Sequence, residues 1–397
     1  MKISIIPDVH CGYGKGTPRE EDAFLALDEA VEKNLDSDLI LMVGDIFDSR
    51  IPKQETIAKV AKSLVKAQNV PSKTQFVDII GKDRKELSPS SLRGIPIVSL
   101  HGNHDRRSKH MTNPVQLLEK AGVLIHLHKG VIIFEIENKK VAIHGMGNVP
   151  ERYAKDSLYN WNPKPVEGAI NILLLHQSID PYIYSPLEPP SIKLEDLPAG
   201  FDLIIDGHMH WHDTRTLGGC LLLISGSLSP TSIHKKESEQ RKGYFVYNGM
   251  TLEFKGIDHQ RKIHNESLYF NDNIIYDLDS KISGIVSRNT GKLKPIIKIN
   301  IKGIIPKSSH RPSFMAIENK YKDKAIIKIG RNFKSEDFEE QIELLRALRE
   351  KRLSPEEQGV LLLRKNLEQT KCEIRPDELF DILMDGDTDK AMNILNK

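Results

Sequence analysis

The 397-residue chain is poor in cysteine, in net charge and in long apolar runs. Its three cysteines, Cys11, Cys220 and Cys372, form no CxxC pair, which argues against a disulfide framework and a thiolate zinc site. Lys and Arg total 57 and Asp and Glu total 55, giving a net charge of +2. A total so close to neutral excludes a protein that binds polyanions through bulk charge alone.

No apolar run is long enough to span a bilayer. Ile172–Leu175 and Cys220–Ile224 have the length of strands, far below the roughly 18 residues that a membrane helix needs. The amino terminus runs into Pro7-Asp8 without a long apolar region or a small-residue cleavage site, so it indicates a first strand rather than a signal peptide. We therefore expect a cytoplasmic protein that is neither exported nor anchored in a membrane.

Short apolar strands alternate with helical patterns early in the chain, and strands dominate later. The early strands are Ile3–Ile6, Leu39–Val43 and Ile95–Leu100, and the helices are Glu20–Lys33, Thr56–Ala67 and Pro114–Ala121. The later strands are Val131–Ile136, Lys140–His144, Ile170–Leu175, Leu203–Ile205, Leu221–Ile224 and Tyr244–Tyr247. This order predicts an α/β sandwich of two sheets covered by helices.

A different pattern follows the polar segment Asp258–Glu266. Ile296–Ile301 alternates like a strand, a short helix follows around Ser313–Tyr321, and Ala325–Ile329 is again a strand. The remainder is helical, and its strongest helix start is Ser354-Pro355-Glu356-Glu357. Further short helices are predicted at Pro376–Leu383 and Asp387–Leu395. These helices either fold back on the body or dock on another protein.

Polar donors follow five of the predicted strands: Asp8 and His10, Asp45, Asn103, His176, and His208 with His210. Ligands bind at the carboxyl ends of strands in open α/β sheets. Residues two apart in extended chain point the same way, so each Asp-x-His or His-x-His pair can converge on one ion. Carboxylate, amide and imidazole donors without thiolate suit Mn²⁺, Fe²⁺ or Zn²⁺.

A single Asp, Asn or His after a strand is as readily a turn-forming or core residue. All five elements in order favour a metal site instead. Seven donors exceed what one ion needs, so two ions about 3.5–4 Å apart and sharing a carboxylate fit better. Such a pair catalyses hydrolysis of phosphoesters.

These motifs resemble the calcineurin-like metallophosphoesterases. Four segments narrow the resemblance to the nuclease subunit of the DNA double-strand-break repair complex, the meiotic recombination eleven family: Gly44–Asp48, His101–Arg106, Leu174–Gln177 and Asp206–His210. The segments Gly226–Ser232 and Lys242–Phe245 are similar to that family as well. The resemblance covers Met1 to Asp258 by motif and the remainder by the order of elements only.

The resemblance implies a four-layer α/β/β/α metallophosphoesterase sandwich with a small α+β capping domain and a helical tail. The nuclease domain would be 1–258, the DNA-capping domain 259–332, and the tail 333–397, a candidate segment for binding an ATPase partner. The tail alternatively is an ordinary helical cap on the body.

The same resemblance implies the roles of the site residues. Asp8, His10 and His210 would hold one Mn²⁺, Asn103, His176 and His208 a second Mn²⁺, and Asp45 would bridge the two. His104 would be the catalytic residue that contacts the scissile phosphate and protonates the leaving oxygen. The alternative role for His104 is that of a partner for Asp105 or Asp45.

Basic residues near the predicted site are candidates for phosphate contacts. Arg106, Arg107 and Lys109 follow the His104 loop, and Lys235, Lys236, Arg241 and Lys242 follow the Gly226–Ser232 turn. The segment 73–93 is longer than is usual in the family and is predicted to be a solvated loop rather than a DNA contact. Pro7 and Asp48 also depart from the family pattern, and Asp48 leaves the balance of exonuclease and endonuclease modes open.

The function that follows from the resemblance is a manganese-dependent DNA nuclease of double-strand-break repair. It would be a 3′–5′ exonuclease on duplex DNA and an endonuclease on single strands, a homodimer, and a partner of a coiled-coil SMC-like ATPase. A small-molecule phosphodiesterase or phosphatase with the same metal pair is the alternative. A non-catalytic scaffold is a third hypothesis, which the intact donor set disfavours.

Overall fold

The computed structural model describes residues 1–108, 110–184, 192–231, 237, 239–291, 293–305, 313–335, 355–368, 375–384 and 391–392. The chain divides into two compact units. One consists of Met1–Glu266, Asp279–Ile299 and Ala316–Lys328, and the other of Ser267–Leu278, Asn300–Met315 and Ile329–Lys397. Among the described residues, no helix combines the length and the apolar character needed to cross a membrane.

The secondary structure follows the predicted alternation. The strands are β1 (Ile3–Ile6), β2 (Leu39–Met42), β3 (Gln75–Ile80), β4 (Ile97–Ser99), β5 (Ile125–His126), β6 (Gly130–Ile136), β7 (Lys139–Met146), β8 (Ala169–Leu175), β9 (Ile179–Asp180), β10 (Ile192–Lys193), β11 (Leu203–Asp206), β12 (His212–Leu217), β13 (Cys220–Ser225), β14 (Gly243–Tyr247), β15 (Leu252–Gly256), β16 (Ile263–Tyr269), β17 (Ile296–Ile305) and β18 (Ile326–Ser335). The helices are α1 (Asp22–Glu32), α2 (Gln54–Leu64), α3 (Pro114–Lys120), α4 (Glu151–Trp161), α5 (Ile274–Ser287), α6 (Met315–Tyr321), α7 (Pro355–Glu368) and α8 (Pro376–Met384).

Two large mixed sheets form the body. The first has the strand order β15-β14-β1-β2-β4-β5, and the second has the order β12-β13-β11-β8-β7-β6-β3. Strands β1, β2, β4 and β5 are parallel, as are β7, β8, β11 and β13. A further three-stranded sheet has the order β16-β17-β18. The carboxyl ends of the parallel strands therefore lie along one edge of each large sheet, where ligands bind in such folds.

The packing of the body is a four-layer α/β/β/α sandwich. Ile5 of the first sheet and Leu174 of the second belong to one buried cluster between the sheets. Met42 faces the other way and packs with α1 and α2, while Leu175 packs with α4 on the far side of the second sheet. The strands are buried on both faces because helices cover them, which explains their continuous apolar sequence. This architecture confirms the predicted fold class.

The segment 73–93 differs from its prediction as a solvated loop. It forms β3, which pairs antiparallel with β6 at the edge of the second sheet. The ammonium of Lys82 contacts the Glu119 carboxylate and donates to the His126 carbonyl oxygen at 3.1 Å. The loop prediction was wrong because the sequence of β3 mixes polar and apolar residues, as an edge strand with one solvated face does.

Helix α4 was not predicted, and neither were β12, β15, β16 and α5. Tyr159 of α4 is 83% exposed, whereas Trp161 packs against the core under α4. Helix α7 begins at Pro355, one residue after the predicted cap. The predicted helix Asp387–Leu395 lies mostly outside the described residues.

Candidate metal centre

The loops that follow β1, β2, β4, β8 and β11 bring all seven predicted donors to one edge of the sandwich. The donor atoms of Asp8, His10 and His210 lie within 4.8 Å of one another, and so do those of Asp8, Asp45 and His176. The remaining two residues join through hydrogen-bond distances, since the side-chain oxygen of Asn103 lies 3.1 Å from His176 Nε2 and 2.9 Å from His208 Nδ1. The structure thus assembles the residues that the sequence singled out.

The backbone at three of these donors is left-handed. The φ angles are 56° at His10, 45° at Asp45 and 76° at His208. Each such residue costs about 1–3 kcal/mol and persists where the surrounding structure enforces it. Gly44 beside Asp45 has a φ of 105°, and a Cβ added there would lie 2.6 Å from His176 Nδ1. Side-chain donors are therefore held in strained loops that leave no room for bulk beside them.

Asp45 lies between the two groups of donors. Its Oδ2 is 3.3 Å from His176 Nε2 and 3.8 Å from His10 Nε2. Its Oδ1 accepts the backbone N–H of His104 at 2.8 Å. One carboxylate oxygen thus faces imidazoles of both groups, while the other anchors the loop that carries His104.

His176 is oriented by the backbone. Its Nδ1 donates to the carbonyl oxygen of Val43 at 2.8 Å, so Nε2 faces the centre of the site. Burial opposes a charge on this ring, but the carboxylates of Asp45 and Asp8 outweigh burial and raise the pKa of His176 to about 10. The site therefore attracts one positive charge to the place where these side chains meet.

His10 and His210 face each other through their Nε2 atoms, which are 3.0 Å apart. The hydroxyl oxygen of Thr231 lies 2.5 Å from His210 Nδ1, and Asp48 Oδ1 lies 3.3 Å from His10 Nδ1. Burial, with the nearby charge of His10, lowers the pKa of His210 well below its usual range. A neutral His210 with Nε2 turned inward is a donor for a metal ion.

Asp8 shows that the residues fit a divalent cation. Its Oδ2 accepts the backbone N–H of His208 at 2.9 Å, while its Oδ1 is buried and has no hydrogen-bond partner among the described residues. Burial raises the pKa of Asp8 to about 7. The charge of His176 acts to lower this pKa, and the negative charge of Asp45 acts to raise it. A buried carboxylate oxygen left without a partner among imidazoles is what a divalent ion satisfies.

His104 is more open to solvent than these donors, with 40% of its side chain exposed. Its Nδ1 lies 3.1 Å from the carbonyl oxygen of Asp48. A carbonyl only accepts, so Nδ1 carries the hydrogen and Nε2 is the atom that gains or loses a proton. His104 also has a ring nitrogen within 4.8 Å of donor atoms of His10 and Asp45.

Three supporting residues were not predicted. The buried carboxylate of Asp105 accepts backbone N–H groups of Gly102 and Phe47 at 3.0 and 3.1 Å, which ties two donor loops together. Asn148 donates to the His176 carbonyl oxygen at 3.0 Å. The Tyr184 hydroxyl donates to the His208 carbonyl oxygen at 2.8 Å. Asp105 lies in the segment His101–Arg106, which carries part of the family resemblance, whereas no sequence motif includes Asn148 or Tyr184.

The predicted phosphate contacts divide into three groups. Arg106 and Arg107 line a cleft of about 1140 Å³, together with Arg50. Lys109, Lys235 and Lys236 lie outside the described residues, and Arg241 is exposed beside the Asp258 carboxylate. Lys242 is only 4% exposed, so the prediction that it contacts phosphate was wrong. Burial and the neighbouring Arg50 lower the pKa of Arg106, which shows that like charges crowd this cleft.

The family model for calcineurin-like phosphoesterases matches residues 1–212. The chain belongs to this family. Membership agrees with the fold and with the seven-donor edge, and the donor set of this phosphoesterase suits divalent metal ions.

Curated relatives of this phosphoesterase include the double-strand break repair protein MRE11 of Encephalitozoon cuniculi, 26% identical over 72% of this chain and 53% of that protein. The DNA double-strand break repair proteins Mre11 of Thermoplasma acidophilum and Sulfolobus acidocaldarius are 25% and 26% identical. They match 75% and 77% of this chain and 76% of their own length. The match thus spans about half of the first relative and three quarters of the archaeal ones. These relatives confirm the resemblance to the double-strand-break repair family.

Proposed function

We propose that the protein is a manganese-dependent DNA nuclease of double-strand-break repair, active as a 3′–5′ exonuclease on duplex DNA and as an endonuclease on single strands. One observation carries the proposal: His104 stands solvent-accessible at the edge where seven donors converge. The names of the curated relatives as DNA double-strand break repair proteins support the choice of substrate.

Two Mn²⁺ ions would be held by the two groups of donors. Asp8, His10 and His210 would hold one, and Asn103, His176 and His208 the other, with Asp45 bridging. The support is the position of Asp45 Oδ2, which faces His176 and His10 at 3.3 and 3.8 Å. The ions would supply a nucleophile near neutral pH and neutralise charge on the phosphoryl oxygens.

His104 would act as the general acid. Because the Asp48 carbonyl fixes the hydrogen on Nδ1, the proton that moves is the one on Nε2, which can pass to the leaving oxygen of the cleaved strand. Proton transfer of this kind contributes about 10²–10⁴-fold to the rate. The hydrogen bond from His104 N–H to Asp45 holds the ring near the bridging carboxylate.

DNA would reach the site along the arginine-lined cleft. Arg50, Arg106 and Arg107 line it, and in the part of the chain that the structure describes none of the three forms an ion pair with a carboxylate. Guanidinium groups without such partners suit phosphates, and phosphate contacts position a strand without reading its sequence. Binding should therefore weaken with added salt.

The family resemblance further suggests a homodimer, a capping domain over 259–332 and a tail over 333–397 that binds a coiled-coil SMC-like ATPase. In the tail, Leu379 and Ile382 of α8 pack with Leu363 and Leu367 of α7. Met384 of α8 is 67% exposed, so an apolar group remains for a partner helix.

The test is a cleavage assay of the metal-stripped full-length protein on end-labelled duplex, single-stranded and hairpin DNA, with and without Mn²⁺. We expect shortening of duplex from the 3′ end and internal cuts in single strands, both only with Mn²⁺. A His104→Ala preparation, purified in parallel, controls for contaminating nuclease.

The same preparation is offered a cyclic nucleotide and a phosphomonoester. If either compound is hydrolysed rapidly while DNA is not cleaved, the protein is a small-molecule phosphodiesterase or phosphatase instead. A protein that binds no divalent ion would instead be a scaffold.

A further inference from the structure

Lys242 is a buried cation directly behind the metal centre. Its ammonium donates to the carbonyl oxygen of His210 at 2.7 Å and to the hydroxyl of Ser227 at 2.8 Å, and it lies 3.1 Å from Glu237 Oε1. The side chains of Lys242 and Glu237 are 5% and 2% exposed. Burying such a pair costs desolvation that its own attraction barely offsets, so stability alone is a weak reason for it.

The pair fixes the turn Ser227–Thr231. Glu237 accepts the backbone N–H of Thr231 at 3.0 Å, while Lys242 holds the Ser227 hydroxyl. This turn contacts two donors of one group. Thr231 Oγ1 lies 2.5 Å from His210 Nδ1, and Leu228 N–H donates to the Asp8 carbonyl oxygen at 2.7 Å. A hydroxyl held against Nδ1 fixes the orientation of the His210 ring and directs Nε2 toward the site.

The other group of donors is held by different means. His176 is oriented by the Val43 carbonyl and by Asn148, and Asn103 lies between His176 and His208. The turn supported by Lys242 and Glu237 therefore serves the side of the site formed by Asp8, His10 and His210.

We propose that Lys242 and Glu237 are positioning residues for one ion only, the ion held by Asp8, His10 and His210. Without the pair, the turn loses its anchor, Thr231 no longer fixes His210, and this position binds its ion more weakly while the second position keeps its affinity. The inference rests on the two-ion site of the proposed function.

The test is a Mn²⁺ titration of the metal-stripped full-length protein by calorimetry, combined with electron paramagnetic resonance to separate isolated ions from coupled pairs. In a Lys242→Met, Glu237→Gln double variant, we expect one of the two binding steps to weaken by about 10–100-fold and the other to stay unchanged. With two equivalents of Mn²⁺ per protein chain, the paramagnetic resonance spectrum of this variant should then show isolated ions rather than coupled pairs. Circular dichroism with chelator present checks the fold.

The chain offers a matched control in Lys82 and Glu119. This pair is also largely buried, and it also ties a histidine backbone, with Lys82 donating to the His126 carbonyl oxygen and Glu119 accepting the His126 N–H. The variant Lys82→Met, Glu119→Gln should leave both binding steps unchanged.

Equal weakening of both steps, or no weakening of either, would overturn the inference while the proposed function stands. A wild-type protein that never binds a second Mn²⁺ would instead refute the two-ion site itself. If the double variant does not fold, Glu237→Gln alone keeps the size of the side chain and its acceptor for Thr231. The same binding step should weaken, but by less than in the double variant, because Lys242 loses only the charge of its partner.

Discussion

Buried carboxylates occur in two contrasting surroundings in this molecule. On α1, Glu29 lies 2.5 Å from the ammonium of Lys33 and accepts backbone N–H groups of Asp258 and His259 at 2.7 and 2.8 Å. Burial opposes its ionisation, yet Lys33 and these N–H groups outweigh burial and lower the pKa of Glu29 to about 2. At the metal centre, Asp8 has one oxygen without a partner among the described residues, and its pKa is raised to about 7.

The contrast separates a structural carboxylate from one suited to bind an ion. Glu29 finds its positive charge and its donors within the chain, so its ionised form stabilises the fold. At Asp8 the charge of His176 does not outweigh burial and the nearby Asp45 carboxylate, so further stabilisation must come from a proton or a metal. Substitutions in the two regions should therefore affect different measurements.

The largest effect is expected at the carboxylate that lies between the two donor groups. Asp45→Asn removes the negative charge facing His176 and His10, so we expect at most one Mn²⁺ to bind and hydrolysis to fall to background. Calorimetric titration and an assay of phosphodiester cleavage measure both. Glu29→Gln, tested beside it, should bind two ions. Unchanged cleavage by Asp45→Asn would remove this residue from the bridging role.

His104→Ala should slow cleavage by about 10²–10⁴-fold while both ions stay bound. The side chain is exposed and makes its hydrogen bond through Nδ1 to a backbone carbonyl, so its loss should leave the fold intact. Single-turnover kinetics under saturating Mn²⁺ measure the effect. Loss of a metal ion in this variant would mean that His104 is a ligand rather than an acid.

Glu29→Gln should reduce the free energy of unfolding by about 1–3 kcal/mol at pH 7, because the ionised carboxylate loses its charge-assisted hydrogen bonds with Lys33 and with two backbone N–H groups. Because the pKa is lowered in the folded state, this stability is present above pH 4.5 and is lost as the pH falls toward 2. Urea denaturation of the wild type and the variant at several pH values measures the difference between their free energies of unfolding. This difference should shrink as the pH falls from 4.5 toward 2. A constant difference would assign the effect to lost packing instead.

The smallest effect is the pH dependence of metal affinity. Binding needs ionised Asp8, whose raised pKa of about 7 makes a proton compete with the ion. This proton alone should lower Mn²⁺ affinity by about tenfold for each pH unit below 7, in addition to the proton that His176 must release. Titrations in buffers with different ionisation enthalpies would show the released proton. Affinity that does not vary between pH 5.5 and 8 would contradict this assignment for Asp8.

The sequence was sufficient for the features that depend on short-range pattern. Strands such as Ile172–Leu175 are continuous apolar runs because helices and a second sheet cover them, and the donors follow the predicted strand ends within about five residues. Parallel pairing then places the carboxyl ends of neighbouring strands, and the donors that follow them, at the same edge of a sheet. The fold class and the convergence of seven donors could be predicted for this reason.

Features that depend on long-range contact could not be predicted. The role of Lys242 is set by Glu237 and His210, and a lysine in a basic cluster has the sequence signature of a surface residue. Asn148 lies 28 residues before the His176 backbone that it supports. The edge strand β3 mixes polar and apolar residues and so resembles a loop until its partner β6 is known.

The left-handed backbone at His10, Asp45 and His208 also constrains how this chain can evolve. A descendant that no longer needed ions would gain stability by exchanging one of these residues for glycine, which adopts such angles freely. Loss of catalysis would therefore leave a recognisable trace of new glycines at these three positions. Conversely, grafting the ligands alone onto another scaffold would fail, since the loops that force these angles must be transplanted with them.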